Sequence, residues 1–244
     1  GFGAYYGSYP PTDADFMTEY VLRSISPCPS AAGNKGSPDR SSNFKNSTLA
    51  DVFDLHVANP DTPGRELTLA QLERYPVAFL LDDLHWNENL ANTVKKFVAR
   101  GGTLVLTTAQ VGPFADDAAF LGVRILPEKP ESDDGFALDR VAPTADARVV
   151  ERTSKGFPLV VRNRVGEGSV VLIASPFCRR TADRTETPVQ VTHLLERLQA
   201  EVLPFSIDGV CHAIPTRRAD GTWCVLVMNN AGVCKKPNAS EDEF

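Results

Sequence analysis

The sequence lacks an excess of basic residues and long apolar runs, and these two absences exclude two classes of function. Its 244 residues contain 25 Lys and Arg against 31 Asp and Glu, a formal net charge of −6. Proteins that bind nucleic acid through phosphate contacts usually carry a basic excess or stripe, and the longest basic clusters here are pairs such as Lys95-Lys96. No apolar run approaches the ~18–20 residues of a membrane span. We therefore expect neither a nucleic-acid partner nor a membrane partner.

The five cysteines lack the spacing of a disulfide framework or of a zinc site. Their number is odd and no pair has CxxC spacing, so we expect no metal. Cys211 and Cys224 fall on two segments that predict a hairpin, and either a cross-strand bridge or buried free thiols fits them. The sequence does not determine the cellular compartment, and a secreted or periplasmic location is compatible with a parent protein that acts on polysaccharide.

The middle of the chain predicts a strand–helix–strand unit. Residues 77–81 form a continuous apolar run, which is typical of a parallel strand covered on both faces. Residues 87–100 place their apolar side chains on one helical face, and Gly101-Gly102 ends the helix. Residues 103–108 predict the next strand. Units of this kind almost always cross over right-handed.

The flanking segments complete the predicted domain organisation. Residues 123–165 contain brief β-like runs and an acidic loop, Glu128–Asp134, and we interpret them as an antiparallel or irregular insertion at the sheet edge. A strand over 169–174 and a helix over 187–202 follow. We also predict a helix over 12–25 and a strand over 52–57. Together these elements predict a doubly wound, mostly parallel α/β sheet over residues 1–205.

The C-terminal part predicts a different structure. Asp220-Gly221 lies between two β-prone runs, 210–214 and 223–228, and this arrangement favours a β-hairpin. The hairpin, within residues 206–244, either packs on the α/β body or begins a further β-domain. The polar tail, Lys235–Phe244, shows no pattern of a terminal helix or strand. We therefore expect the chain to be a fragment of a longer protein.

Four motifs in a fixed order carry a family resemblance. They are Leu81-Asp82-Asp83 at a strand end, the helix end Phe97-Val98-Ala99-Arg100-Gly101-Gly102, the strand Thr103–Thr108, and the turn Gly166-Glu167-Gly168. Over about residues 10–205 this order resembles the class I glutamine-amidotransferase-like superfamily, which has a flavodoxin-like fold. Within it, the chain looks most like the non-catalytic domains of carbohydrate-active enzymes, such as the trimerisation domain of family forty-two β-galactosidases.

The resemblance departs from the catalytic pattern at the nucleophile. Active amidotransferases of this superfamily carry Gly-x-Cys-x-Gly on a sharp turn after a central strand, because the strained turn exposes the nucleophile beside oxyanion donors. The matching stretch here is Thr108-Ala109-Gln110-Val111-Gly112, with neither Cys nor Ser at the elbow. We therefore expect no amidotransferase activity.

Polar residues at the predicted carboxyl ends of the strands are the candidate ligand-binding residues, since ligands of doubly wound sheets bind there. They are Asp82, Asp83, His85, Trp86, Gln110 and Arg179. One interpretation makes Asp82, Asp83 and His85 an acid/base or metal cluster with Trp86 as a sugar-stacking platform. Adjacent residues on a strand point to opposite faces, which favours the other interpretation, in which an aspartate caps a helix and Trp86 covers the rim.

The sequence and its resemblance together predict a non-catalytic accessory or oligomerisation domain of a larger carbohydrate-active enzyme. Its partners would be other domains of the same polypeptide or further copies in a homo-oligomer, and carbohydrate is a candidate ligand. Gly166-Glu167-Gly168 lacks the third Gly of a dinucleotide fingerprint and precedes a strand, so we expect no cofactor. Two alternatives stay open: a stand-alone glycan-acting hydrolase or lyase that uses Asp82, Asp83 and His85, and a carbohydrate-binding module.

Overall fold

The computed structural model describes residues 64, 66–80, 85–128, 130–133, 135–177, 179–180, 185–186, 188–205 and 212–228. The helix predicted over 12–25 and the strand predicted over 52–57 lie outside these residues. In the part of the chain that is described, no helix combines the length and the apolar character needed to cross a membrane.

Four helices and thirteen strands are found in the described residues. The helices are α1 (Leu69–Leu72), α2 (Glu88–Ala99), α3 (Ala118–Leu121) and α4 (Val189–Val202). The strands are β1 (Val77–Leu80), β2 (Thr103–Thr107), β3 (Val123–Ile125), β4 (Glu131–Asp133), β5 (Phe136–Leu138), β6 (Val141–Pro143), β7 (Arg148–Arg152), β8 (Pro158–Val165), β9 (Gly168–Ile173), β10 (Arg179–Arg180), β11 (Thr185–Glu186), β12 (His212–Arg217) and β13 (Trp223–Met228).

A five-stranded sheet in the order β1-β2-β9-β8-β7 forms the centre of the α/β part. The β1–β2 and β2–β9 pairs are parallel, whereas the β9–β8 and β8–β7 pairs are antiparallel. The described sheet is open, and two of its four strand pairs are parallel and two antiparallel. The prediction of a mostly parallel sheet was wrong for these strands, because the predicted edge insertion supplies β7 and β8 as antiparallel strands. The β7–β8 pair also contains register shifts between Val149 and Arg152.

Helices cover both faces of this sheet. On β2, Leu104 belongs to a core cluster that includes residues of α2 and α3, and the next residue, Val105, is fully buried on the opposite face. Arg162 of β8 lies opposite Val171 of β9 and donates two hydrogen bonds to Glu201 near the end of α4. Because Val171 shares a face with Val105, α4 covers the face that α2 and α3 do not.

The Gly-Gly pair ends α2 as the sequence predicts. Gly101 has φ +111°, and its N–H donates to the carbonyl of Val98 at 3.0 Å. The N–H of Gly102 donates to the carbonyl of Phe97, also at 3.0 Å. These two bonds form a Schellman motif, which satisfies carbonyls that the helix leaves without a partner.

The same turn lies against the start of β9. The N–H of Ser169 donates to the carbonyl of Gly102 at 3.1 Å. A Cβ added to Gly168 would lie 2.2 Å from that carbonyl oxygen and 2.3 Å from the carbonyl oxygen of Val98. Residue 168 must therefore be glycine for the two backbones to approach this closely.

The edge insertion contains two small antiparallel pairs, β3–β6 and β4–β5. The prediction of an acidic loop over 128–134 was wrong for Glu131–Asp133, which form β4. Gly135, with φ +78°, makes the turn that brings β5 back along β4. Glu131 and Asp133 are thus part of a short hairpin and not of a loop.

The β12–β13 hairpin is antiparallel, as predicted, and belongs to the second of the two compact units into which the chain divides. Cys224 is an exposed free thiol. Its cross-strand neighbour is Thr216, so the predicted alternative of a bridge to Cys211 was wrong. Cys211 lies outside the described residues, and the boundary near residue 205 stays a prediction.

Gly168→Ala is expected to lower the free energy of unfolding by about 3 kcal/mol, because its Cβ would collide with two backbone carbonyl oxygens. Urea denaturation followed by circular dichroism measures this change. Gly156→Ala is the control: it introduces strain at φ +86°, but its Cβ meets nothing within 4 Å, so it should cost about 1 kcal/mol. Equal effects of the two variants would contradict the close backbone contact.

Candidate functional site

The carboxyl ends of β1, β2 and β9 lie at one edge of the sheet, and we call the residues that follow these three strands the carboxyl rim. Among the predicted site residues, His85 is exposed in the segment that follows β1. Arg179 begins β10. Asp82 and Asp83 lie outside the described residues, so their assignment to a ligand site stays a prediction.

Trp86 packs along the carboxyl rim. Its ring meets Phe114 edge to face, with centroids 5.2 Å apart. It also lies against the backbone of Gly112, where an added Cβ would be 2.3 Å from the indole ring. Trp86 is half-buried, and these contacts fit a residue that covers the rim. Its use as a sugar-stacking platform stays a prediction.

Gln110 closes the turn that follows β2. The backbone N–H and the hydroxyl of Thr107 both donate to Oε1 of Gln110, the first at 3.2 Å. The N–H of Ala109 donates back to the Thr107 hydroxyl at 3.2 Å. The pair forms a capping box on a 3-10 turn over Thr108–Gln110. The stretch that the sequence analysis compares with a nucleophile elbow is thus a capped turn.

Asp139 is a rim residue that sequence reasoning missed. The hydroxyl of Thr108 donates to Oδ2 of Asp139 at 2.5 Å, and the N–H of Asp139 donates to the carbonyl of Ala174 at 2.9 Å. The residue therefore links the ends of β2 and β9. No local pattern could have identified it, because it comes from the edge insertion between β5 and β6.

Ser175 is a rim residue whose hydroxyl is also bonded within the chain. Ser175 is fully buried, and its hydroxyl donates to the carbonyl of Pro176 at 3.0 Å. Among the residues that the structure describes, no three His, Cys, Asp or Glu side chains come together as a metal site would require. The rim hydrogen bonds of Thr107, Thr108 and Ser175 thus stabilise turns and strand ends.

A charged pair borders the aromatic cluster beneath Trp86. Lys95 on α2 lies 5.4 Å from the ring centre of Phe114 and bonds Asp117, the N-cap of α3, at 2.7 Å. The Lys95 ammonium is the main reason that the pKa of Asp117 is lowered from its usual range, and partial burial opposes this shift. Because the folded-state pKa is lowered, the pair stabilises the fold above the unfolded-state pKa, and this stabilisation is lost as the pH falls through the folded-state pKa.

Lys95→Met is expected to raise the pKa of Asp117 toward its usual value while the aliphatic stem keeps its packing. Both groups are partly exposed, so the free energy of unfolding at neutral pH should fall by no more than about 1 kcal/mol. Carboxyl NMR titration measures the pKa, and denaturation at acidic pH should show the two proteins converging. Lys96→Met, on the same helix but without this ion pair, should leave the pKa unchanged. A pKa of Asp117 that is identical in all three proteins would refute the assignment.

Trp86→Ala is expected to lower the free energy of unfolding by about 2 kcal/mol, less than for a fully buried ring, because the indole is half-buried. Trp86→Phe keeps an aromatic ring beside Phe114 and should recover much of this loss. Urea unfolding followed by circular dichroism compares the variants. Wild-type stability of Trp86→Ala would show that the ring is not a packing residue.

Solved structures similar to this chain include glycoside hydrolases, at low identity and over part of each chain. One is a β-galactosidase from Bacillus circulans sp. alkalophilus, with 19% identity and a TM-score of 0.39, covering 64% of this chain and 26% of that one. Another is Gan42B, a GH42 β-galactosidase from G. stearothermophilus, with 19% identity, a TM-score of 0.41, and coverage of 64% and 26%. An exo-β-1,4-mannosidase, Op5Man5 from Opitutaceae bacterium strain TAV5, has 17% identity, a TM-score of 0.34, and coverage of 61% and 25%.

This chain spans about a quarter of the length of these glycoside hydrolases. A search of protein-family models and of the curated proteins finds no match. Part of this chain is thus similar to these solved structures, but the similarity establishes neither a family nor an activity for it.

Proposed function

We propose that this chain is a non-catalytic domain that holds together the assembly of a larger carbohydrate-active enzyme. One observation carries the proposal: polar side chains at the carboxyl rim are bonded to the chain itself. Thr107 bonds Gln110, Thr108 bonds Asp139, and Ser175 bonds the neighbouring carbonyl. A catalytic group must instead lie within reach of a substrate atom.

The turn after β2 supports a structural role at the position where a nucleophile would be required. In a nucleophile elbow, strain exposes the attacking atom beside backbone N–H groups that bind the oxyanion. Here Thr107 accepts a hydrogen bond from the N–H of Ala109, which uses a donor of that turn for capping. The hydroxyl of Thr108 is held by Asp139, which ties it to the end of β9.

The β12–β13 hairpin supports a role in packing against another part of the assembly. Leu226 and Val227 are 55% and 56% exposed, and as successive residues of a strand they point to opposite faces. A hairpin in isolation is marginally stable in water and gains stability when its apolar faces are covered. Because this hairpin exposes an apolar side chain on each face, we expect other parts of the assembly to pack against both faces.

The order of the sequence motifs supports the part of the proposal that makes the larger protein a carbohydrate-active enzyme. The helix end before Gly101-Gly102, the strand over 103–108 and the turn at Gly166-Glu167-Gly168 follow one another as in domains attached to such enzymes. The structure adds a physical reason for two of these motifs, since the Gly-Gly turn and the start of β9 are in backbone contact.

Replacing both exposed apolar residues of the hairpin, Leu226→Asp with Val227→Asp, tests the proposal in the native full-length protein. Burying two carboxylates in an apolar contact is costly, so light scattering should show a smaller assembly or limited proteolysis should show a released domain. Thr216→Asp, at an exposed position on the partner strand, is the matched control. It should change neither the size of the assembly nor the proteolysis pattern. If the double variant keeps the wild-type assembly mass and protease pattern, the hairpin does not hold the assembly and the proposal fails.

A further inference from the structure

A cleft at the amino-terminal edge of the sheet, opposite to the carboxyl rim, has the features of an anion site. It has a volume of about 370 Å³ and is lined by Arg148, Arg162 and Arg164, together with Thr103 and Ser169. We propose that this cleft binds a small polar molecule through a carboxylate or phosphate group. The proposal is independent of the accessory role proposed above, because it concerns other residues at another edge of the sheet.

The first argument is the register of β7 and β8, which sets two arginines directly opposite each other. Arg148 is the cross-strand partner of Arg162. Like charges in this arrangement destabilise a sheet unless another group compensates them. Glu201 compensates Arg162, with two hydrogen bonds at 2.8 and 2.9 Å. Arg148 forms no ion pair with any described residue, so its guanidinium is available to an anion in the cleft.

The second argument is that Arg162 is held in place before any ligand arrives. Its Nε donates to the hydroxyl of Ser169 at 3.1 Å, and its Nη1 donates to Glu201. The Ser169 hydroxyl in turn lies 3.2 Å from the hydroxyl of Thr103. These bonds fix the plane of the guanidinium and leave its Nη2 group for a further acceptor. A planar, pre-oriented guanidinium matches the two oxygens of a carboxylate or phosphate.

The third argument is the alignment of the three arginines. Arg162 and Arg164 are two residues apart on β8 and share a face of the sheet, and Arg148 lies opposite Arg162 on that face. Arg164 is exposed and makes only a 3.5 Å bond to the carbonyl of Gly166. Two of the three guanidinium groups therefore have most of their donors available beside the fixed one.

The size and lining of the cleft define the ligand class. Binding clefts for small molecules have volumes of about 300–1,000 Å³, and this cleft lies at the lower end of that range. Asp146 and Glu167 also line it, and neither forms an ion pair with a described arginine. Their carboxylates are acceptors for hydroxyl groups. The combination suits a molecule with one anionic group and several hydroxyls, such as a sugar acid or a sugar phosphate.

Titration of the full chain with inorganic phosphate and with galacturonate, followed by amide NMR, tests this proposal. We expect both probes to shift the resonances of Gly168 and Ser169, and we expect the shifts to weaken as salt is added. Galactose, which has the hydroxyls without the charge, should bind at least about tenfold more weakly than galacturonate, the loss that one charge-assisted hydrogen bond predicts. Binding of phosphate alone would identify a phosphate ligand, and binding of galacturonate alone would identify a carboxylate ligand. Both results support the site.

Arg148→Gln and, separately, Arg164→Gln should weaken binding about tenfold without altering the far-ultraviolet circular dichroism. Arg124→Gln, at an exposed position on β3, is the control for a general change in net charge and should bind as the wild type does. The proposal is overturned if neither anion shifts the cleft resonances, or if the Arg124 variant loses as much affinity as the two cleft variants.

Discussion

The backbone contact between the end of α2 and the start of β9 determines how the central sheet is assembled. Glu167 donates its N–H to the carbonyl of Ala99 at 3.1 Å, and Ser169 donates its N–H to the carbonyl of Gly102 at 3.1 Å. These bonds set Thr103 opposite Ser169 and so fix the parallel register of β2 and β9. Since β9 is the central strand, between β2 and β8, this contact anchors the strand at which the parallel and antiparallel parts of the sheet meet.

The same contact shapes the arginine-lined cleft. Gly101 and Gly168 are among its lining residues, so the backbone where α2 meets the start of β9 forms one wall of the cleft. Arg162 and Arg164 line the cleft from the end of β8. The contact that fixes the register of β2 and β9 thus also fixes part of the cleft wall.

Local features of the fold could be predicted from the sequence, and features that depend on register could not. The Gly-Gly helix end and the buried strand over residues 169–174 are signalled within a few residues, and the structure confirms both. The opposition of Arg148 and Arg162 depends on the pairing of β7 with β8, which no local pattern specifies. Asp139 reaches the rim only because the edge insertion folds back over the strand ends. The rule that ligands bind at the carboxyl ends of strands predicts a site at the rim, whereas the cleft lies at the opposite edge of the sheet.

The register shifts in β7 have a consequence for aggregation. Within the described residues β7 is an outer strand of the sheet, and an outer strand with regular, unpaired backbone groups can recruit a strand from another chain. The shifts between Val149 and Arg152 disturb that regular spacing, and the exposed charges of Arg148 and Arg152 oppose the approach of a second copy. Edge-to-edge growth into cross-β aggregates is thereby disfavoured on this side of the molecule.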